Sequence, residues 1–199
     1  MTERKNPIGV IKAFCNAFSE SPSTDVLLLM KISNLDASPK LKEEILALVD
    51  GESRVVLIDG YLERERLNSL MSLIDCYVSL HRAEGFGLPM AEAMFLGKPV
   101  IATYWSGNTD FMNESNSLPV SYDLVELAED IGPYNRGQFW AEPNIHDAAE
   151  KMLAVTSDSA LATKIGNLAK SEIRSNYSGK RAAAFLSTRL WEIGRKRSQ

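Results

Sequence analysis

Two cysteines and two histidines are all that this 199-residue chain carries of the residues that most often announce metal or redox chemistry. Cys15 and Cys76 fall in an amphipathic segment and an apolar run, so they read as buried free thiols, which fits a reducing, cytoplasmic compartment. His81 and His146 stand at no ligand spacing from each other or from a cysteine, so no zinc site is expected. There is no Gly-x-Ser-x-Gly elbow and no Walker lysine loop, which argues against an α/β-hydrolase and a P-loop NTPase. Positive charge is not in excess either. Lys and Arg total 22 against 26 Asp and Glu, a net charge of −4, so neither nucleic acid nor an anionic membrane is a default partner. No apolar run approaches the roughly 20 residues of a membrane span, and no signal-peptide pattern opens the chain. Repeats, low-complexity tracts and internal linkers are missing too.

What is present is ordinary for one globular domain spanning 1–199: 45% hydrophobic and 24% charged residues in a chain long enough to bury a sizeable core. Ile8, Ile11, Phe14, Cys15 and Phe18 recur at the spacing of one helical face, and Pro22-Ser23 ends that helix. Val26 to Met30 reads as a strand buried on both faces, Pro39 to Val49 as a helix, and Arg54 to Ile58 as a strand. A helix over Leu62 to Ile74 would bury Leu67, Leu70, Met71 and Ile74. Further strands are expected at Cys76 to Leu80, Val100 to Thr103 and Leu118 to Val120, with a short helix near Asp110 to Asn113. Asp130 to Pro143 reads as loop, and helices at Ile145 to Thr156, Leu161 to Tyr177 and Lys180 to Lys196 close the domain, the basic end from Arg189 as a solvated face. Strands alternating with helices predict an α/β fold, a Rossmann-like parallel sheet with helices on both faces.

The chain is organised around Leu80 to Met94, where a buried strand ends, Gly85 and Gly87 turn the backbone, and a helix starts at Pro89. A glycine loop feeding a helix N-terminus collects free N–H groups and the positive dipole end at one spot, a generic anion site. Glu84 lies just ahead of the loop and Glu92 a turn into the helix, with seven residues between them. Helical side chains lean toward their own N-terminus, so Glu92 points back at the loop mouth. Carboxylates touching a bound anion would repel it; they suit hydroxyl groups on either side of a diphosphate. A nucleotide sugar has that form, and the plainer alternative is a solvated helix with two surface glutamates.

Glu84-Gly85-Phe86-Gly87-Leu88-Pro89-Met90-Ala91-Glu92-Ala93, followed by Gly97-Lys98-Pro99-Val100-Ile101-Ala102, resembles the donor-site signature of retaining GT-B glycosyltransferases, the glycosyl transferases of group 1 with their paired-glutamate motif. Arg4-Lys5-Asn6-Pro7, Asp59-Gly60-Tyr61-Leu62 and Ser106-Gly107-Asn108 extend the resemblance over nearly the whole chain, matching the C-terminal half of such an enzyme. The resemblance implies transfer of a hexose from a UDP-, GDP- or ADP-sugar with retention, to a glycan or lipid-linked acceptor held by an N-terminal domain. Glu84 and Lys5 would carry the catalytic roles, Glu84 on hydroxyls of the transferred sugar and Lys5 on the diphosphate. Glu92 would hold the ribose, the backbone N–H groups of Phe86, Gly87 and Leu88 would meet the sugar and diphosphate, and Tyr61 and Leu62 would flank the base; ordinary loop packing is the alternative for Tyr61 and Leu62, and a solvated basic start for Lys5. Arg82 would add charge near the phosphates, a surface role being the plainer reading, and His81 reads as a structural histidine. No Asp-x-Asp pair is present to bridge a diphosphate through a metal, so metal-free transfer is expected.

In that family the Arg-Lys-Asn-Pro run follows the first, central strand of the sheet, and almost nothing precedes Arg4 here. The expectation is therefore a domain short of that strand, or a sheet completed in an unusual way, because the neighbours of a missing strand expose unpaired N–H and C=O groups. Two alternatives stay open. One is a non-catalytic nucleotide-sugar-binding module that needs a partner domain for turnover. The other is a dinucleotide site, poorly matched because Met90 stands where a third Gly or Ala belongs.

Overall fold

In a computed structural model of the protein, which describes residues 3–19 and 25–197, the strand Val100–Thr103 (β4) is buried at all four positions. Its alternate residues serve two different cores. Ile101 packs with the helix Pro7–Phe18 (α1) and with Ala148, Ala149 and Met152 of Ile145–Ser157 (α5). Val100 and Ala102 pack with Met90, Ala93 and Met94 of Leu88–Phe95 (α4) and with Ala169 and Ile173 of Ser159–Asn176 (α6). A strand whose two faces are both covered by helices reads as the continuous apolar run seen here, and it belongs to a parallel sheet.

The parallel strands are Leu28–Ile32 (β1), Val55–Asp59 (β2), Tyr77–Ser79 (β3), β4 and Leu118–Val120 (β5). They form two separately paired groups, β1 with β2 and β3–β4–β5 in that order. Helix Pro39–Val49 (α2) connects the first pair, α4 connects β3 to β4, and Arg64–Leu73 (α3) joins the groups. Leu28, Met30 and Ile32 of β1 share the core that holds Leu80, the residue following β3. Among the described residues, β1 nevertheless has a ladder only to β2, and β3 only to β4. The helix Gly179–Arg197 (α7) ends the described chain with Phe185, Leu190 and Trp191 exposed; no helix among the described residues is long and apolar enough to cross a membrane.

Four expectations need correcting, and one lies outside the described residues, the break at Pro22-Ser23. The segment expected as loop from Asp130 contains a strand, Phe139–Pro143 (β7), which pairs antiparallel with Tyr122–Glu126 (β6). Gly132, Pro133 and Gly137 in the connecting turns dominate the composition and hide a five-residue strand whose buried anchors are Trp140, Ala141 and Pro143. The first strand is not buried on both faces: it starts at Leu28, leaves Leu27 64% exposed, and turns only Leu28, Met30 and Ile32 inward. Leu67, Leu70, Met71 and Ile74 do line the inner side of α3, but they are half-buried, because α3 rests on the surface and buries no residue fully. The short helix expected near Asp110 to Asn113 is a 3-10 turn at Gly107–Asp110. Cys15 and Cys76 are free and half-buried; burial raises both thiols, Cys76 to about 12.

Candidate functional site

The site forms where β3 and β4 end, the edge at which parallel sheets flanked by helices place their ligands. A 3-10 turn at Glu3–Lys5 is tied to the end of β3 from both sides. The Arg82 N–H donates to the Arg4 carbonyl at 2.8 Å, the Arg82 guanidinium donates to the Glu3 carbonyl at 2.9 Å, and Arg4 Nη1 donates to the Ala83 carbonyl at 2.7 Å. These bonds hold Arg4 and Lys5 against the residue that follows, Glu84. Asn6, in the left-handed region at φ 50°, then starts α1 by accepting the Gly9 N–H at 3.0 Å.

Glu84 is mostly buried and gathers three donors: Lys5 Nζ, Arg4 Nη1 at 3.2 Å and the Gly85 N–H at 3.1 Å. Burial alone would raise its carboxyl, but the Lys5 ammonium, then Arg4 and the Gly85 amide, hold it below the usual carboxylate range. It is therefore an anion aimed by two cations, with lone pairs to spare for a hydroxyl group. The loop after it is fixed by Gly87 and Phe86, whereas Gly85, expected to turn the backbone, has no positive φ and a Cβ there would meet nothing within 4 Å. Gly87 has φ 94° and would drive a Cβ to 2.5 Å from the Met90 methyl. The Phe86 ring packs on Phe111 and Tyr177, with centroids 5.1 and 6.0 Å away. Helix α4 starts at Leu88, one residue before the expected Pro89.

Glu92 sits one turn into α4 and pairs with the Arg64 guanidinium from the start of α3. A cavity of about 800 Å3 opens beside it, lined among others by Arg64, Leu88, Glu92, Phe95, Tyr177 and Phe185. The structure thus brings Lys5 and Glu84 together and places Phe86, Gly87 and Leu88 in the loop between the two glutamates. It gives Glu84 and Glu92 separate cations. Tyr61 and Leu62 follow β2 as expected, but Tyr61 is 82% exposed. Arg82 is engaged elsewhere: its guanidinium forks onto Glu142 at 2.5 and 2.8 Å and lies 4.9 Å from the centre of the Trp140 ring. His81 is fully buried, and desolvation lowers it from 6.5, so it stays neutral.

Arg4 and Arg64 are the residues that sequence reasoning passed over. Arg4 adjoins Lys5, and a 3-10 turn is tight enough to send both side chains to one carboxylate, so the adjacency was the signal. Arg64 meets Glu92 across 28 residues, a contact with no local trace.

A family model described as glycosyl transferases group 1 matches residues 3–133. The chain belongs to that family of glycosyltransferases. No curated protein matches it. Among solved structures it is similar to the C-terminal domain of a glycosyl transferase group 1 family protein from Francisella tularensis, with TM-score 0.66 and 19% identity over 90% of this chain and 83% of that one. It is also similar to HepE of Anabaena solved with UDP and glucose, with TM-score 0.70 and 17% identity over 94% of this chain and 46% of that one. A glycosyltransferase from Rickettsia africae gives TM-score 0.71 and 19% identity over 97% and 45%. The chain thus spans a little under half the length of the last two. The architecture is that of the C-terminal domain of GT-B glycosyltransferases.

Proposed function

We propose that this domain binds a nucleoside-diphosphate sugar and forms the donor half of a retaining, metal-independent hexosyltransferase. The observation that carries the reading is the Glu84 carboxylate, held by Lys5, Arg4 and the Gly85 amide at the mouth of the loop that starts α4. Glu84 would accept from hydroxyls of the transferred sugar. The diphosphate would lie between Lys5 and the N–H groups of Phe86, Gly87 and Leu88, drawn by the ammonium and by the positive end of α4. Glu92, beside an apolar-walled cavity, suits a ribose, and Tyr61 and Leu62 would flank the base from the β2 end. HepE of Anabaena, whose fold this domain shares, was solved with UDP and glucose, which supports a UDP-sugar as the first donor to try.

In the reaction, Lys5, Arg4 and the α4 N-terminus stabilise the departing nucleoside diphosphate as the sugar passes through an oxocarbenium-like state. An acceptor, a glycan or lipid-linked glycan, would attack from the same face, and its proton would go to the leaving phosphate oxygen. The acceptor would be held by an N-terminal domain. The free half-buried thiols support a cytoplasmic setting. Among the described residues β1 and β3 share no ladder, which favours a second reading, in which these residues alone bind donor but do not turn over.

The division of labour is tested with two variants. Glu92→Ala should weaken nucleoside diphosphate binding, whereas Glu84→Ala should spare the diphosphate and weaken its sugar conjugate, each loss being roughly 1–3 kcal/mol. Equal losses for both ligands in both variants contradict the assignment.

A further inference from the structure

The loop after β4, Trp105 to Asn108, takes no part in the binding roles above, yet four features of the molecule converge on it. Ser106 has φ 78° and ψ −153°, a region populated almost only by glycine and retained elsewhere at a cost. Its hydroxyl donates to the main-chain carbonyl of Glu84 at 2.6 Å, and the Gly107 N–H reaches the same oxygen at 3.5 Å. Gly107 lies so close to the opposite loop that a Cβ there would stand 1.8 Å from the Gly85 carbonyl oxygen. Beneath both loops lies His81. Its Nδ1 faces the Ser79 hydroxyl at 3.0 Å, and its Nε2 faces the Trp105 carbonyl and Asn108 Oδ1, each at 3.1 Å.

The two partners of Nε2 are acceptors, so the neutral ring carries its proton there and Nδ1 accepts from Ser79. Asn108 is turned the right way round by its other end, whose Nδ2 donates to the Thr103 carbonyl at 3.0 Å. The buried pair therefore bolts the start of the Ser106 loop to the end of β3, three residues before Glu84. The strained backbone at Ser106 is held from both ends, its hydroxyl on the Glu84 carbonyl and its own carbonyl accepting the Thr109 N–H at 3.1 Å and the Thr109 hydroxyl at 2.7 Å, and strain over-determined in this way clusters at binding sites.

We infer that Ser106 and Gly107, bolted by His81 and Asn108, are the positioning element of the site. They fix the carbonyl of Glu84, and with it the angle at which the Glu84 carboxylate meets the transferred sugar. This rests on the donor-binding reading for its ligand, and it assigns the loop to discrimination among sugars, not to nucleotide affinity.

The test compares the full chain with Ser106→Ala and Ser106→Gly. Without ligand, amide exchange at Gly85 should quicken about fivefold in both variants, the loss of one hydrogen bond, while exchange in β4 stays unchanged. Ser106→Gly should melt no lower than the unmodified chain, since it relieves the strained φ. Loop order and global stability moving together would assign the loop a purely structural role and overturn the inference, as would unchanged exchange at Gly85. With ligand, the affinity ratio of UDP-glucose to UDP should fall about fivefold in both variants at constant UDP affinity; an equal loss for the two ligands overturns it. A parent chain that binds neither ligand defeats the donor-binding reading, and the exchange data then decide the positioning claim alone.

Discussion

Placing one carbon atom on Gly107 probes the contact between the two loops most directly. In Gly107→Ala the new Cβ would lie 1.8 Å from the Gly85 carbonyl oxygen, 2.7 Å from its carbon and 2.9 Å from the Phe86 Cα. All three are main-chain atoms, so no side chain can rotate away, and the loops must part by about 1 Å or more in a close-packed setting. That movement breaks the 2.6 Å bond from Ser106 to Glu84, worth about 1 kcal/mol. Overpacking adds roughly 1–3 kcal/mol. A total near 3 kcal/mol corresponds to a fall in Tm of about 6–12 °C for a domain of this size. Differential scanning calorimetry measures it, and urea titration checks that the m-value is unchanged. A Gly107→Ala variant that melts with the parent and keeps its sugar-nucleotide affinity would refute the close contact and the reasoning built on it.

Two further outcomes are expected. His81 is buried neutral, and burial lowers it from 6.5; the unfolded chain therefore binds a proton that the folded chain resists. Its contribution to stability is present above pH 6.5 and is lost as pH falls below that value toward the lowered folded pKa, so Tm should drop from pH 6.5 to 5 and His81→Gln should flatten that drop; a parallel pH profile in the variant contradicts the assignment. Arg82→Lys removes the fork onto Glu142 and the stacking on Trp140, and should cost about 1–2 kcal/mol in urea unfolding with UDP affinity unchanged; a loss of UDP affinity without loss of stability would instead give Arg82 the phosphate role.

The parallel strands and the helices that flank them were legible because their signals are local. Val100-Ile101-Ala102 is a short apolar run between Gly97-Lys98-Pro99 and a polar loop, and α1 shows its buried stripe at Ile11, Phe14 and Phe18. The hairpin of β6 and β7 was not legible, since its strands pair across the 12-residue stretch 127–138 and each is only half apolar. Within the site, Glu84 and Glu92 could be found from spacing, because a loop and one helical turn fix their relation. Their partners Arg4 and Arg64, the fork of Arg82 onto Glu142, and the bolt formed by His81 and Asn108 all depend on which elements the fold brings together. The pattern 84–92 says where an anion and two sugars would fit; only the packed loops say what aims the carboxylates.

The claim that this domain holds a nucleoside-diphosphate sugar is tested most directly by calorimetric titration of the chain with UDP, GDP and ADP and their common sugar conjugates, without added metal. The expected result is one-site binding selective for one diphosphate, with one of its sugar conjugates preferred over the others. Absence of binding to all three diphosphates by a chain shown to be folded would contradict it.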